Sequence, residues 1–204
     1  MTTIEARGLA ASRGESRLFR DVSFRVAAGE WIALRGPNGS GKTTLLRAIA
    51  GLTRLDSGEV TVDGEPLARA SRWRESLAYA GHAPGTKDDL TPAENLRALL
   101  ALRGIAADAK GERAALDEAG LGKRRDLPAR RLSAGQRRRI GLARLMLDPA
   151  PVWMLDEPLT ALDAEGQELF ARLLARHLDR GGLAVLAVHH DLVPAPARIV
   201  SLRA

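Results

Sequence analysis

The stretch Gly36-Pro37-Asn38-Gly39-Ser40-Gly41-Lys42-Thr43-Thr44 constrains this chain more than any other. It fits G-x-x-x-x-G-K-[ST], a loop that wraps phosphate groups between a strand and a helix. The flanks supply that context. The apolar run Trp31-Ile32-Ala33-Leu34 precedes it, and Leu45-Leu46-Arg47-Ala48-Ile49-Ala50, a helical pattern stopped by Gly51, follows it. Gly36, Gly39 and Gly41 let the backbone turn tightly and aim several N–H groups inward. The start of the helix adds partial positive charge at the same place. Lys42 can reach the β- and γ-phosphates of a nucleoside triphosphate, and the Thr43 hydroxyl can ligate Mg²⁺.

The remaining chain reads as strands alternating with helices. Ile4 to Leu9 alternates enough for an edge strand, and Ser12 to Arg17 is a polar turn. Val22 to Val26 has period two and reads as a strand. Val60-Thr61-Val62 followed by Asp63-Gly64 reads as a strand and hairpin turn. Leu77 to Ala80 is a short strand ending at Gly81-His82. From Thr91 onward the character is helical. Thr91 is an N-cap with Pro92 at the first helical position and Glu94 three residues on. That helix runs to Arg103 and stops at Gly104; a second spans Asp108 to Ala119; a third follows Ser133-Ala134-Gly135 to Leu147. Val152 to Leu155 is then a buried-strand run ending in Asp156-Glu157. Ala164 to Arg180 is an amphipathic helix. Leu183 to Val188 is an apolar strand ending at His189, and Arg198 to Leu202 is a last short strand. This order predicts an α/β fold with a largely parallel sheet covered on both faces. Residues 1–204 form one domain in this reading, with a core at about 1–83 and 146–204 and a helical insertion at about 84–145.

Composition narrows the class. The chain has 204 residues and no cysteine, so disulfides and thiolate metal sites are excluded. The N-terminus lacks the apolar run of a signal peptide, and no stretch reaches the ~18 apolar residues of a membrane span. A soluble cytoplasmic protein is expected. The net charge of +6 is compatible with nucleic acid or an anionic membrane surface. Arginine is spread along the whole chain, which favours solvated faces, with a membrane-side partner as the secondary idea.

Other residues bear on chemistry. Asp156, expected beside the P-loop strand, can bind Mg²⁺ through water. Glu157 can orient or deprotonate a water attacking the γ-phosphate, or it caps the following helix. In Leu132-Ser133-Ala134-Gly135-Gln136, Ser133 and Gln136 form a capping box, which is a full structural explanation; the functional one is a second phosphate-binding helix N-terminus. The Arg137–Arg139 run reads most simply as a solvated face. Trp31 and Trp153 read as core, whereas Trp73, between Arg72 and Arg74, packs on a partner or anchors at the surface.

The set Gly36–Thr44, Leu132–Gln136, Met154–Pro158, Ala161-Leu162-Asp163 and His189 resembles, in order and spacing, the ATP-binding cassette proteins, over essentially the whole chain. That resemblance implies a P-loop NTPase fold, a mixed-sheet core with a helical subdomain, and ATP with Mg²⁺ as ligands. It implies a head-to-tail homodimer in which Ser133 and Gly135, with Gln136 in the same motif, meet a nucleotide held by the partner's P-loop. It makes Glu157 and His189 the catalytic pair, although His190 is adjacent, and puts Asp163 at the dimer interface. Two positions depart from the family pattern. His82 stands where a glutamine usually joins Mg²⁺ to the membrane subunit. Arg13 stands where an aromatic usually stacks on adenine. Either holds that role in altered form, or both are loop residues without nucleotide contact.

The departures carry their own information. Gly81 to Lys87, with Leu90-Thr91 and Glu94-Asn95-Leu96, is similar to the ATPase subunits of cytochrome c maturation systems, the haem exporter ATP-binding family. This implies coupling of ATP hydrolysis to haem delivery. It also implies an integral membrane subunit and neighbouring haem-handling proteins as partners, and a place on the cytoplasmic face of the bacterial inner membrane. Nucleic acid is not expected as a partner. A soluble ABC ATPase acting on nucleic acid or ribosomes usually carries two cassettes or a long coiled coil, and neither is present. Glu157 and His189 argue against a non-hydrolysing sensor.

Overall fold

β1 (Thr3–Arg13) and β2 (Ser16–Ala27) form a long antiparallel hairpin in which Arg13 pairs with Ser16 across the turn. The computed structural model describes residues 2–70, 72–83, 85–106, 108–188 and 195–202. Along β1, Ile4, Ala6, Leu9 and Ala11 are buried. The alternation slips between Ala6 and Leu9, where the register shifts and Gly8 has φ 57°. β1 also pairs with β4 (Ser57–Val62), and β4 pairs with β5 (Glu65–Pro66), giving the order β2-β1-β4-β5. The stretch 4–9 is therefore an interior strand, not the expected edge strand. Alternation reports which face is buried; it does not report whether both edges find partners. The 63–64 turn has positive φ at both residues, 53° and 83°, as a two-residue hairpin of matching twist requires.

β3 (Trp31–Arg35), β6 (Leu77–Ala80), β7 (Val152–Asp156), β8 (Leu183–Ala187) and β9 (Arg198–Ser201) make a separate sheet, all parallel, in the order β6-β7-β8-β3-β9. β7 and β8 are buried at every residue, which is why both read as unbroken apolar runs. The parallel and antiparallel parts are thus two hydrogen-bonded sheets. α1 (Lys42–Ile49) lies against β7 and β8. Its Leu45, Leu46 and Ile49 share one core with Ile4, Phe19, Phe24, Ile32, Met154 and Val185.

Trp31 and Trp153 are core residues, as expected. Trp73 is too, which corrects the reading of it as a surface or partner residue. It is 5% exposed, and its Nε1 donates to Ile49 O at 2.8 Å. The chain turns at Trp73–Ser76 so that the indole points inward while Arg72 and Arg74 stay outside. Burying such a ring contributes about 1.5–3 kcal/mol.

Contacts divide the chain into two units, residues 1–81, 150–158 and 175–204, and residues 82–149 and 159–174. In the second, α2 (Pro92–Ala101), α3 (Ala109–Glu118) and α4 (Ala134–Leu147) pack on one another and bury Leu96, Leu100, Leu116 and Ile140. Thr91, Asp108 and Ser133 cap them, Thr91 and Ser133 as full capping boxes. α5 (Ala164–Asp179) buries Leu169, Phe170, Leu173 and Leu174. No helix among the described residues is long and apolar enough to cross a membrane.

Candidate functional site

The loop between β3 and α1 is shaped by close approaches. A side-chain carbon at Gly36 would lie 2.5 Å from Ser40 Oγ and 2.8 Å from Leu202 O. Gly41, the N-cap of α1, is left-handed at φ 91°, and a carbon there would lie 2.8 Å from the Phe19 ring. α1 has no side-chain cap and no acidic residue in its first turn. Its leading N–H groups are left to whatever the loop encloses, which suits an anion. Lys42 is 6% exposed, and its Nζ donates to Gly36 O at 2.8 Å and Pro37 O at 3.1 Å. Ser40 Oγ is buried without a hydrogen-bond partner among the described residues. A buried hydroxyl of that kind fits a phosphate oxygen.

Asp156 is 2% exposed at the end of β7. β8 separates β7 from β3, so Asp156 is not beside the P-loop strand as expected. It meets the loop by another route. α1 lies over β8 and β7, and Thr43 Oγ1 donates to Asp156 Oδ2 at 2.6 Å. The two oxygens are a hard donor set that fits Mg²⁺. Among the described residues no group of three or more His, Cys, Asp or Glu could hold a metal. A cation here would therefore complete its shell with phosphate and water oxygens, the ordinary habit of Mg²⁺.

Glu157 follows with φ 52°, a left-handed conformation that costs a non-glycine residue on the order of 1 kcal/mol. Its N–H donates to Ala187 O at 3.0 Å, so β8 holds it there. Glu157 does not cap α5: that helix begins at Ala164, and Asp163 Oδ1 accepts from Gly166 N at 3.0 Å. Arg13 is exposed at the tip of the β1–β2 hairpin. Ala11 pairs with Phe19, whose ring adjoins Gly41, so Arg13 stands about 7 Å along the strand from the loop's neighbour. His189 and His190 lie outside the described residues. The last described residue before them, Val188, donates to Leu34 O of β3 at 3.2 Å.

In the second unit, Ser133 Oγ accepts from Gln136 N at 3.2 Å and Gln136 Oε1 accepts from Ser133 N at 3.1 Å. Gly135 is demanded by packing: a side-chain carbon there would lie 2.5 Å from Ala161 O, and Ala161 has φ 66°. The arginine run is not a solvated face. Arg137 Nη1 donates to Leu132 O at 2.9 Å, and Arg138 Nη1 donates to His82 O at 2.9 Å. Arg139 is buried and donates to Asp163 Oδ1 at 2.6 Å and Glu165 Oε2 at 2.9 Å. Burial opposes the Arg139 charge, but the bonds from the two carboxylates outweigh it and hold its pKa above the usual arginine value. The Arg139 bond in turn holds Asp163 below the usual carboxylate range. Asn95, 1% exposed, was also missed as a structural centre. Its side chain accepts from Lys87 N at 2.7 Å and donates to the carbonyls of Lys87, Leu90 and Thr91. It pins residues 87–91, just ahead of α2.

A phosphate-wrapping loop on a parallel sheet, with a buried carboxylate bonded to its threonine and a separate capped helix motif, defines an ATP-binding cassette. The ABC transporter family profile matches residues 19–160, and the chain belongs to that family. It is 46% identical over 191 residues to the cytochrome c biogenesis ATP-binding export protein CcmA of Nitrosomonas europaea, covering 93% of this chain and 90% of that one. It is 44% identical over 202 residues to CcmA of Pseudomonas aeruginosa, covering 98% and 100%. Among solved structures, a bacterial ABC transporter cassette solved as a dimer is 26% identical with a TM-score of 0.80, covering 98% and 94%. An ATP-binding subunit of an ABC transporter is 28% identical with a TM-score of 0.75, covering 91% and 79%.

Proposed function

We infer that this chain is the ATP-hydrolysing subunit of a membrane ABC transporter that couples ATP hydrolysis to haem delivery in c-type cytochrome biogenesis. The observation that carries the ATPase reading is the 2.6 Å bond from Thr43 to the buried Asp156 beneath a loop built for phosphate. The assignment to cytochrome c biogenesis draws on the near full-length similarity to the CcmA proteins. Lys42 and the amides of Gly36–Thr44 hold the triphosphate, with Ser40 as a further donor. Thr43 and Asp156 would hold Mg²⁺, which when bound neutralises charge on the phosphates. His82 is a further metal-side residue on the resemblance, and Arg13 supports the base by stacking.

Glu157 accepts the proton of, or orients, the attacking water, and its strained backbone held by Ala187 supports a fixed carboxylate. His189 donates to the charge that develops on the γ-phosphate. Ser133, Gly135 and Gln136 cap the nucleotide held by a second copy of the chain. In this reading residues 1–204 are one ABC ATPase domain, a core with a helical subdomain at about 84–145. It works at the cytoplasmic face of the inner membrane, docked on an integral membrane subunit beside haem-handling proteins.

Two experiments test this. Glu157→Gln should keep ATP binding and lose turnover by about 10²–10⁴-fold; normal turnover removes Glu157 from its role. Affinity purification from membranes should bring down an integral membrane protein. Recovery of RNA or DNA in its place would overturn the transporter reading.

A further inference from the structure

We propose that Arg13 determines the base specificity of the nucleotide site: it reads the edge of the base and favours guanine, so that this chain binds GTP more tightly than ATP. The inference rests on the reading that the loop 36–44 holds a nucleoside triphosphate, and it turns Arg13 from the face of the base to its edge.

The β1–β2 hairpin closes through the two-residue turn Gly14-Glu15, with Gly14 at φ 59°. Glycine at the first central position is what a tight turn of this kind needs. Arg13 pairs with Ser16, so the ladder holds its backbone. Further along, Ser12 pairs with Arg17 and Ala11 with Phe19, which leaves Leu18 as an extra residue on β2. Such a bulge breaks the alternation and re-aims side chains. Leu18 and Phe19 are both buried, and both adjoin Gly41: a carbon there would lie 2.9 Å from Leu18 Cβ and 2.8 Å from the Phe19 ring. Beyond the bulge, alternation puts Arg13 and Ser16 on the face that carries Ala11 and Phe19, and Ser12 and Arg17 on the other. The hairpin, the loop and α1 all lie in the unit that contains residues 1–81.

In a loop of this kind the backbone amides cradle the α- and β-phosphates, and the lysine reaches the β- and γ-phosphates. The nucleoside leaves from the α-phosphate end, beside Gly41, where the wall is Leu18 and Phe19. That apolar wall supports the ring, and Arg13, about 7 Å further along the strand, meets its edge. Arg13 is exposed, and its guanidinium has no hydrogen bond or ion pair among the described residues. A guanidinium carries donors only. Guanine presents two neighbouring acceptors, O6 and N7, which the planar fork meets together; adenine presents N7 beside an amino group that itself donates. The guanine edge is therefore matched, and the adenine edge is half opposed. A guanidinium lying flat on the ring would feel no such difference.

The test is displacement of a ribose-labelled fluorescent ATP from the full chain, without Mg²⁺, by ATP, GTP and inosine triphosphate. Hypoxanthine keeps the O6 and N7 of guanine and lacks its 2-amino group, so it isolates the edge in question. GTP and inosine triphosphate should both bind about 3–10-fold tighter than ATP, near the low end for a bidentate base contact because Arg13 stands in water. Arg13→Gln should invert the order, since a glutamine amide both donates and accepts and so suits N7 and N6 of adenine. Arg13 is exposed at a hairpin tip, so this variant folds. Equal or tighter binding of ATP by wild type overturns the proposal. So does inosine triphosphate that binds no better than ATP, or an Arg13→Gln variant that weakens all three in equal measure, as loss of a stacking or purely structural arginine would. Each of these results leaves the nucleotide reading standing. Failure of all three nucleotides to bind, or binding unchanged in Lys42→Ala, overturns that reading and the proposal with it.

Discussion

α4 contains two glycines, Gly135 and Gly141, and the same substitution at each separates helix propensity from packing. At Gly141 an added carbon meets nothing within 4 Å among the described residues beyond its own helix backbone. Alanine there should gain about 0.5–1 kcal/mol from helix propensity alone. In a chain of this size that raises the unfolding midpoint by about 1–4 °C. At Gly135 the added carbon would lie 2.5 Å from Ala161 O, short of ordinary contact at 3.4 Å by about 0.9 Å. The neighbour is backbone, held at φ 66°, so it cannot swing aside as a side-chain tip would. Overpacking of this kind costs about 1–3 kcal/mol, which equals or exceeds the propensity gain. Gly135→Ala should thus be neutral to about 2.5 kcal/mol destabilised. A displacement near 1 Å at the loop after Glu157 should also cut turnover by about 10²-fold. Thermal unfolding and Mg-ATP turnover of both variants decide the matter. If Gly135→Ala gains stability as Gly141→Ala does and keeps full turnover, the Ala161 carbonyl yields freely and the packing argument is wrong.

Three further predictions use other parts of the molecule. Thr43→Ala removes the 2.6 Å bond to Asp156, and should abolish most of the Mg²⁺-dependent gain in ATP affinity while leaving Mg²⁺-free binding intact, as titration with and without the metal would read. Trp73→Phe leaves Ile49 O without its indole donor and should cost about 1–3 kcal/mol in denaturant unfolding; an unchanged midpoint would contradict the burial argument. His177 stacks on Trp153 with ring centroids 4.0 Å apart, and burial pushes its pKa below the ordinary histidine value, with nearby Arg180 adding to that and the Leu183 carbonyl opposing it. The unfolded chain then binds the proton more readily, so stability is full above about pH 6.5 and falls as pH drops through that value. His177→Phe keeps a stacked ring and should flatten the slope of unfolding free energy between about pH 7 and 5; an unaltered slope would place the titration elsewhere.

What could be read from the sequence was local. The loop at 36–44, the caps at Thr91 and Ser133, and the turn at Asp63-Gly64 depend on neighbours within a few residues, and each is where the residue types put it. Strand order is not local. Placing β8 between β3 and β7 requires knowing which apolar runs pair, and β7 and β8 are alike in length and character. Thr43 and Asp156, 113 residues apart, meet because a helix crosses two strands, which no periodicity reports. The arginine run misled for a related reason. Three consecutive arginines look solvated until the fold supplies the His82 carbonyl, the Leu132 carbonyl and the Asp163–Glu165 pair to receive them. A possible signal was present only in the opposite charges at 163 and 165, with nothing to tie them to position 139.

The motif residues share one property that links the fold to the chemistry. Each satisfies a local need and still keeps one hydrogen-bonding function in hand. An ammonium has three donors, and Lys42 gives two of them to Gly36 and Pro37, which holds the loop's shape and leaves a third for phosphate. Ser133 uses its oxygen to accept from Gln136 N, and its O–H is still available to donate. Thr43 donates its proton to Asp156, and its lone pairs remain for a cation. The site is therefore preorganised at no cost to its valence. A phosphate arriving at Lys42 adds a charge-assisted bond, roughly twice as strong as a neutral one, to a loop that need not first break its own contacts. This is why a capping box or a lysine–carbonyl bond, each complete as a structural explanation, does not compete with the functional one.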